Sequence, residues 1–157
     1  MGRKKVKWKV GDIVGIPRLD GVFTVAQVVD ITPQALNSAV LAIFDEAISD
    51  VASPQSISMS PERLMAVVFT TREQLDSGTW KILGEGPVTI RETLIPSKEL
   101  RPRGFVGAKI YGSAIVDNFV NAYQALSPWD MYFRPDYFDD MLISPARKPE
   151  RLIYKDK

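Results

Sequence analysis

The stretch Asn121-Ala-Tyr-Gln-Ala-Leu-Ser-Pro-Trp-Asp-Met-Tyr-Phe-Arg-Pro-Asp-Tyr-Phe-Asp-Asp-Met-Leu142 governs how this chain is read. Just before it, Asp117 has the form of a helix N-cap, and Phe119, Val120, Tyr123 and Leu126 fall at helical spacing on one face. Ser127-Pro128 ends that pattern. Pro135 then stands at a first-turn position, and Tyr137, Phe138, Met141 and Leu142 give a second apolar stripe, closed by Ser144-Pro145. The connector holds Trp129, Tyr132 and Phe133 between prolines. Aromatic side chains bury large areas, so this density implies a docked, ordered element. The expectation is two short amphipathic helices over residues 117–126 and 135–142, with Trp129 as a buried pin between them.

Upstream, the period changes from helical to extended. Asp12-Ile-Val-Gly-Ile-Pro17 follows a Gly11-Asp12 turn signal, and Asp20-Gly21 is a favoured hairpin dipeptide. Val22-Phe-Thr-Val-Ala-Gln-Val-Val-Asp-Ile31 is apolar on both faces, as in a central or strongly curved strand. Ala39-Val-Leu-Ala-Ile-Phe44 supplies the third strand that a stable meander needs. Residues 45–60 read as a loop, with Ser60-Pro61 as a helix-start signal. Residues 66–70, 79–83 and 88–94 read as further strands. Between them, Thr71 and Gln74 have capping-box spacing and Gly78 stops a short helix. Residues 105–116 look extended with bulges at Gly107 and Gly112, and residues 152–154 suggest a final edge strand. The expected fold class is α+β: a curled, mostly antiparallel sheet of SH3-like, small-barrel character, with the two C-terminal helices packed on it. Residues 1–157 read as a single domain with a basic lead-in (1–9) and a charged tail (155–157).

Composition excludes more chemistry than any motif proposes. The chain has no His and no Cys. Cys/His zinc sites, thiol catalysis and Ser-His or Cys-His dyads are therefore impossible. No side chain has an ordinary pKa near neutrality. Gly84-Glu-Gly86 and Gly104-Phe-Val-Gly107 lack phosphate-loop spacing and read as turns. The expectation is no catalysis, no cofactor and no metal. Net charge is +1, so the whole molecule carries no strong bias towards nucleic acid or acidic lipid. No apolar run approaches the ~20 residues that cross a bilayer. The N-terminus lacks the apolar core of a signal peptide, which gives a soluble, cytoplasmic expectation with no membrane partner.

Two groups remain as candidate contacts. Asp130, Asp136, Asp139 and Asp140 form the densest acidic cluster, without an EF-hand pattern. They read chiefly as solvated, helix-favouring carboxylates, with partner contact as the sharper alternative. Tyr132 and Phe133, in the connector, are the aromatics best placed to anchor a partner, although docking of the loop on the sheet competes for them. In the C-terminal segment the aromatics are not interleaved with Arg and Lys as in a single-strand nucleic-acid platform. A small-barrel nucleic-acid-binding protein is the alternative function, its basic segment being Arg3, Lys4, Lys5, Lys7 and Lys9. Direct nucleic-acid binding is not the expectation.

Several segments resemble a known family. Val10-Gly-Asp-Ile-Val-Gly-Ile-Pro17 and Asp20-Gly-Val-Phe-Thr-Val-Ala-Gln-Val-Val-Asp30 resemble the opening of the bacterial polymorphic-toxin immunity protein 26 family, and Thr79-Trp-Lys-Ile-Leu-Gly84 is similar to its middle segment. Ala122-Tyr123, Leu126, Pro128-Trp129-Asp130, Pro135-Asp-Tyr-Phe-Asp139, Met141-Leu142 and Lys148-Pro149 look like its C-terminal signature in order and approximate spacing. The resemblance implies a protein that binds a cognate toxin domain and blocks it without turnover. If that toxin is a nuclease, acidic side chains would steer onto its basic cleft. Asp130, Asp136, Asp139 and Asp140, with Tyr132 and Phe133, are then the expected contacts. Gln124-Ala125 departs from the pattern where a bulkier aromatic or a Gly is expected, and Arg134 stands where an acidic residue is common.

Overall fold

Two long strands organise the molecule, β2 (Phe23–Thr32) and β3 (Ser38–Ile48), antiparallel across their length. The computed structural model describes residues 5–49 and 57–155. β1 (Asp12–Pro17) lies beside β2, and β4 (Leu64–Thr70) beside β3, both antiparallel. After the five-residue helix α1 (Glu73–Ser77), β5 (Lys81–Glu85) returns to the free side of β1. Helix α2 (Pro96–Leu100) precedes the two-residue β6 (Ile110–Tyr111), which pairs parallel with β4. The helix α3 (Ser113–Tyr123) follows. The sheet order is β5-β1-β2-β3-β4-β6. The fold is α+β with a six-stranded, mostly antiparallel sheet. Among the described residues no pairing joins its two ends, so the sheet is open where a curled sheet of SH3-like, small-barrel character was expected.

The central strands are apolar on both sides because both sides are covered. Ala39, Leu41 and Ile43 of β3 pack with Ala66 and Val68 of β4 against Val116, Phe119 and Val120 of α3 and against Trp129. Val40, Ala42 and Phe44 pack with Val67 and Phe69 on the opposite face, against Ile90, Ile95 and Phe105. Each large apolar side chain so buried contributes roughly 1.5–3 kcal/mol, far more than the hairpins alone supply. A bulge between Ile43 and Phe44 leaves Met65 as the extra residue of β4, so Met65 and Ala66 turn to the same face.

The second cover replaces two expected strands. Residues 88–91 form no strand, and Glu92–Leu94 is a single 3₁₀ turn. Of residues 105–116 only Ile110–Tyr111 is extended. Gly104, Phe105 and Gly107 take left-handed backbone angles, which ends any ladder there. This layer is tied to the sheet by Asp30, whose carboxylate accepts from the buried Ser97 hydroxyl and from Arg101 at 3.1 Å.

The C-terminal helices also differ from expectation. α3 starts at Ser113, and Asp117 lies inside it. Its first N–H is satisfied from a distance: Ser113 N donates to the Thr71 hydroxyl at 2.9 Å, so no local cap is needed. Thr71 therefore caps α3 and not α1, whose N-cap position is Arg72. The second helix is a 3₁₀ turn, Tyr137–Met141. Phe138 and Met141 are its buried residues, and three-residue spacing puts them on one face of a 3₁₀ turn. The last expected strand is one parallel bridge, Pro128 to Ile153. Of the basic lead-in, residues 1–4 lie outside the described residues, as do 50–56 of the β3–β4 connection and 156–157 of the tail.

Candidate functional site

The loop after α3 is built around Trp129, which is fully buried. Its ring packs on Phe138 (centroids 5.3 Å apart), Phe119 (5.9 Å) and Tyr123 (6.5 Å). Its Nε1 donates to Asp139 Oδ1 at 2.7 Å, and its backbone N–H donates to Ile153 O, also at 2.7 Å. The loop is thus pinned between the sheet and the C-terminal segment.

That pin sorts the six sequence-derived contact residues. Asp130 is buried, 6% exposed, and accepts from the backbone N–H of Lys155 at 2.8 Å. Asp139 holds Trp129 with one oxygen and also meets Lys148 at 3.1 Å. Both act as internal fasteners. Tyr132 is half-buried: its ring packs on Tyr137 and Phe138, and Asn118 Nδ2 lies 2.7 Å from its hydroxyl. Phe133 is 87% exposed and leans on Tyr137, 5.9 Å between centroids. Asp136 and Asp140 are exposed beside it.

The surface around Phe133 is not acidic overall. Arg134 pairs with Asp140 and lies 3.6 Å from Asp136, while Lys109 reaches Asp140 at 3.6 Å. Two cations therefore balance the two exposed carboxylates. Arg134 and its hydrogen bond hold the Asp140 carboxyl below its usual range, so Asp140 is anionic at neutral pH. Lys109 also lies over the rings of Tyr111 and Tyr137, 5.3 Å from each. Burial pushes the Tyr111 hydroxyl up to about 12, so it stays neutral. Sequence reasoning missed Lys109 and Tyr137, which reach this surface from separate elements.

A cleft of about 430 Å³ adjoins the patch, lined by Val67, Leu100, Lys109, Tyr111, Asp140 and Met141 among others. It lies where the edge of β4 is left uncovered between β6, paired at Phe69 and Thr70, and Ile143, whose N–H donates to Met65 O at 2.7 Å. An exposed aromatic next to an apolar recess with charges at its margin suits a protein contact: anchors bury and the rim excludes water.

A second polar centre was also missed. Asp117, half-buried in α3, accepts from Trp80 Nε1 and from Gln74 Nε2, each at 2.7 Å. Burial raises its carboxyl above the ordinary range, against the pull of those donors. Both its oxygens are engaged, so it is a structural tie between α1, Trp80 just before β5, and α3. Among the described residues, no three carboxylates converge as metal ligands. Among them, too, no helix is long and apolar enough to cross a membrane. At the N-terminus, Lys5 faces Asp76 at 3.8 Å, and Lys9 bridges Asp12 (3.2 Å) and Glu85 (2.9 Å).

No family model matches this chain, and neither a curated protein nor a solved structure does.

Proposed function

We propose that this chain is a non-catalytic immunity protein that binds a bacterial toxin domain in the cytoplasm and neutralises it. The reading rests on the resemblance of its opening, middle and C-terminal segments to the immunity protein 26 family. The observation that carries it into the structure is Phe133, a large aromatic left 87% exposed on an otherwise pinned aromatic loop. Exposed aromatics on rigid supports lose little entropy on binding and make effective anchors. Phe133 is the anchor, Tyr132 and Tyr137 support it, and Arg134, Asp136, Asp140 and Lys109 form the rim. The balance of charge on that rim favours a contact fixed by complementary pairs over steering by a bulk acidic field. The toxin class, a nuclease or another, is then set by the partner. The alternative nucleic-acid role has less support, because Lys5 and Lys9 are already engaged by carboxylates.

The test is co-expression with the toxin encoded beside this chain's gene. The parent protein should rescue growth and co-purify with the toxin domain. Phe133→Ala should weaken binding by about 2 kcal/mol, the threshold of a hot spot. No rescue by the parent while the toxin is active would remove the assignment to that toxin. Rescue and affinity unchanged in Phe133→Ala would remove this surface while leaving the immunity role.

A further inference from the structure

A recess of about 500 Å³ lies between the 3₁₀ turn at Pro61–Arg63, residues 89–94 and residues 143–147. Its lining combines apolar groups, Leu64, Ile90, Leu94 and Ile143, with two guanidinium-bearing residues, Arg91 and Arg147. Thr89 and Ser144 add hydroxyl-bearing side chains. No carboxylate among the described residues lines it. Such a volume is within the range of small-molecule sites, roughly 300–1,000 Å³, and the mixture of an apolar wall with few polar groups is their usual character.

The two arginines are held differently. Arg147 is half-buried and donates to the backbone carbonyls of Glu62 and, at 3.4 Å, Pro61. Those bonds fix the guanidinium without neutralising it. The Glu62 carboxylate, which accepts from the Ser60 hydroxyl, is close enough to Arg147 for their charges to interact but forms no ion pair with it. Arg91 is exposed, and although its carbonyl accepts from Leu94 N–H at 2.9 Å, its guanidinium makes no hydrogen bond or ion pair among the described residues. A recess with positive charge at its polar groups and hydrocarbon elsewhere selects an anion with an apolar body. A carboxylate, like a phosphate, matches the planar fork of a guanidinium in two parallel hydrogen bonds, and its single charge is the smaller to desolvate beside the hydrocarbon wall.

We propose that this recess is a binding site for a small amphipathic carboxylate, its headgroup on Arg91 and Arg147 and its chain against Ile90, Leu94 and Ile143. Its two arginines lie outside the Phe133 patch, and Ile143 is the one residue that lines both this recess and the cleft beside that patch.

The probe is octanoate, kept below its micelle threshold, titrated into the ¹⁵N-labelled full chain at constant pH and ionic strength. Amide shifts should saturate and centre on residues 89–94 and 143–147. Arg91→Gln, which removes a charge that holds nothing else in place, should weaken binding about tenfold, the lower end of a hydrogen bond to a charged group. Octanol should bind more weakly than octanoate by a similar factor, and inorganic phosphate should not saturate the site. Equal affinity for octanoate in the parent and Arg91→Gln overturns the proposal. So does octanol binding as tightly as octanoate, tight phosphate binding, or shifts that do not saturate. Arg147→Gln is informative only if its amide spectrum retains the parent's fold, because Arg147 also holds the Pro61–Arg63 turn; Arg91→Gln carries the decision without it.

Discussion

Replacing Trp129 by Ala tests the central packing claim. The indole is fully buried among Phe119, Tyr123 and Phe138, and those neighbours are themselves constrained. Tyr123 is held through its hydroxyl, which donates to Arg147 O at 2.7 Å, and Phe119 is part of the rigid helix α3. The void therefore cannot collapse easily, and truncation should cost ~3–5 kcal/mol. Losing the Nε1 donor adds less, because Lys148 still meets the Asp139 carboxylate at 3.1 Å. In a chain of 157 residues that loss corresponds to roughly 6–20 °C in melting temperature. Urea unfolding followed by far-UV circular dichroism is the assay, with the slope unchanged and the midpoint lowered. Trp129→Phe should lose less than Trp129→Ala, since most of the ring volume is retained. An unaltered midpoint in Trp129→Ala would refute the pin and, with it, the rigid support claimed for Phe133.

Ala125 sits at φ 58° just past α3, where Leu126 N–H donates to Asn121 O and Ala125 N–H to Ala122 O, the pair of bonds that favours Gly there. Ala125→Gly should therefore raise stability by about 1 kcal/mol in urea unfolding, relief of the left-handed strain outweighing the added chain entropy. Asp117 binds its proton more tightly folded than unfolded, so its contribution to stability falls as pH rises from the unfolded value, about 3.9, through the raised folded value. Asp117→Asn, with the Gln74 amide reversed to accept, keeps both bonds and should remove that part of the fall when urea midpoints are compared from pH 3 to 7. Asp117→Leu instead strands the Trp80 Nε1 donor and should cost ~1–3 kcal/mol at neutral pH. Phe133→Ala should leave the urea midpoint within ~0.5 kcal/mol of the parent, because its ring is exposed; a larger loss would mean that the ring serves the fold and not a partner.

What the sequence made legible followed from period and from turns. β1 and β2 announce themselves by β-branched runs bounded by Gly, Pro or Asp-Gly; β3 and β4 show as apolar runs, but β3 continues to Ile48 where residues 45–60 read as a loop. The cover on the second face was not legible for a physical reason. Residues 88–94 and 105–116 read as extended, but their apolar side chains reach the sheet largely from 3₁₀ turns and left-handed residues such as Phe105, whose angles no local pattern specifies. The start of α3 was hidden in the same way. Its cap is Thr71, far away in sequence, so the local search stopped at Asp117, a good capping residue that the fold uses instead to receive Trp80.

The carboxylates of the last third show why composition alone misjudges the charge of a surface. Asp130, Asp136, Asp139 and Asp140 look equivalent as sequence, four acids within eleven residues. Burial separates them. Asp130 and Asp139 have donors that the fold brings from Lys155 and Trp129, and a partner could take them only by breaking those bonds. Asp136 and Asp140 stay at the surface, but Lys109 arrives beside Asp140 from the segment before β6, and Arg134 faces both. The patch thereby loses the net charge that its sequence suggests, and what distinguishes it is the unburied ring of Phe133. Charge reversal at Asp136 should therefore perturb a partner's affinity less than truncation of Phe133, since an exposed, already compensated carboxylate gives up little desolvated energy on binding. Measuring both variants against the same toxin domain ranks the two contributions directly, and a larger loss for Asp136→Lys would return the contact to the electrostatic kind.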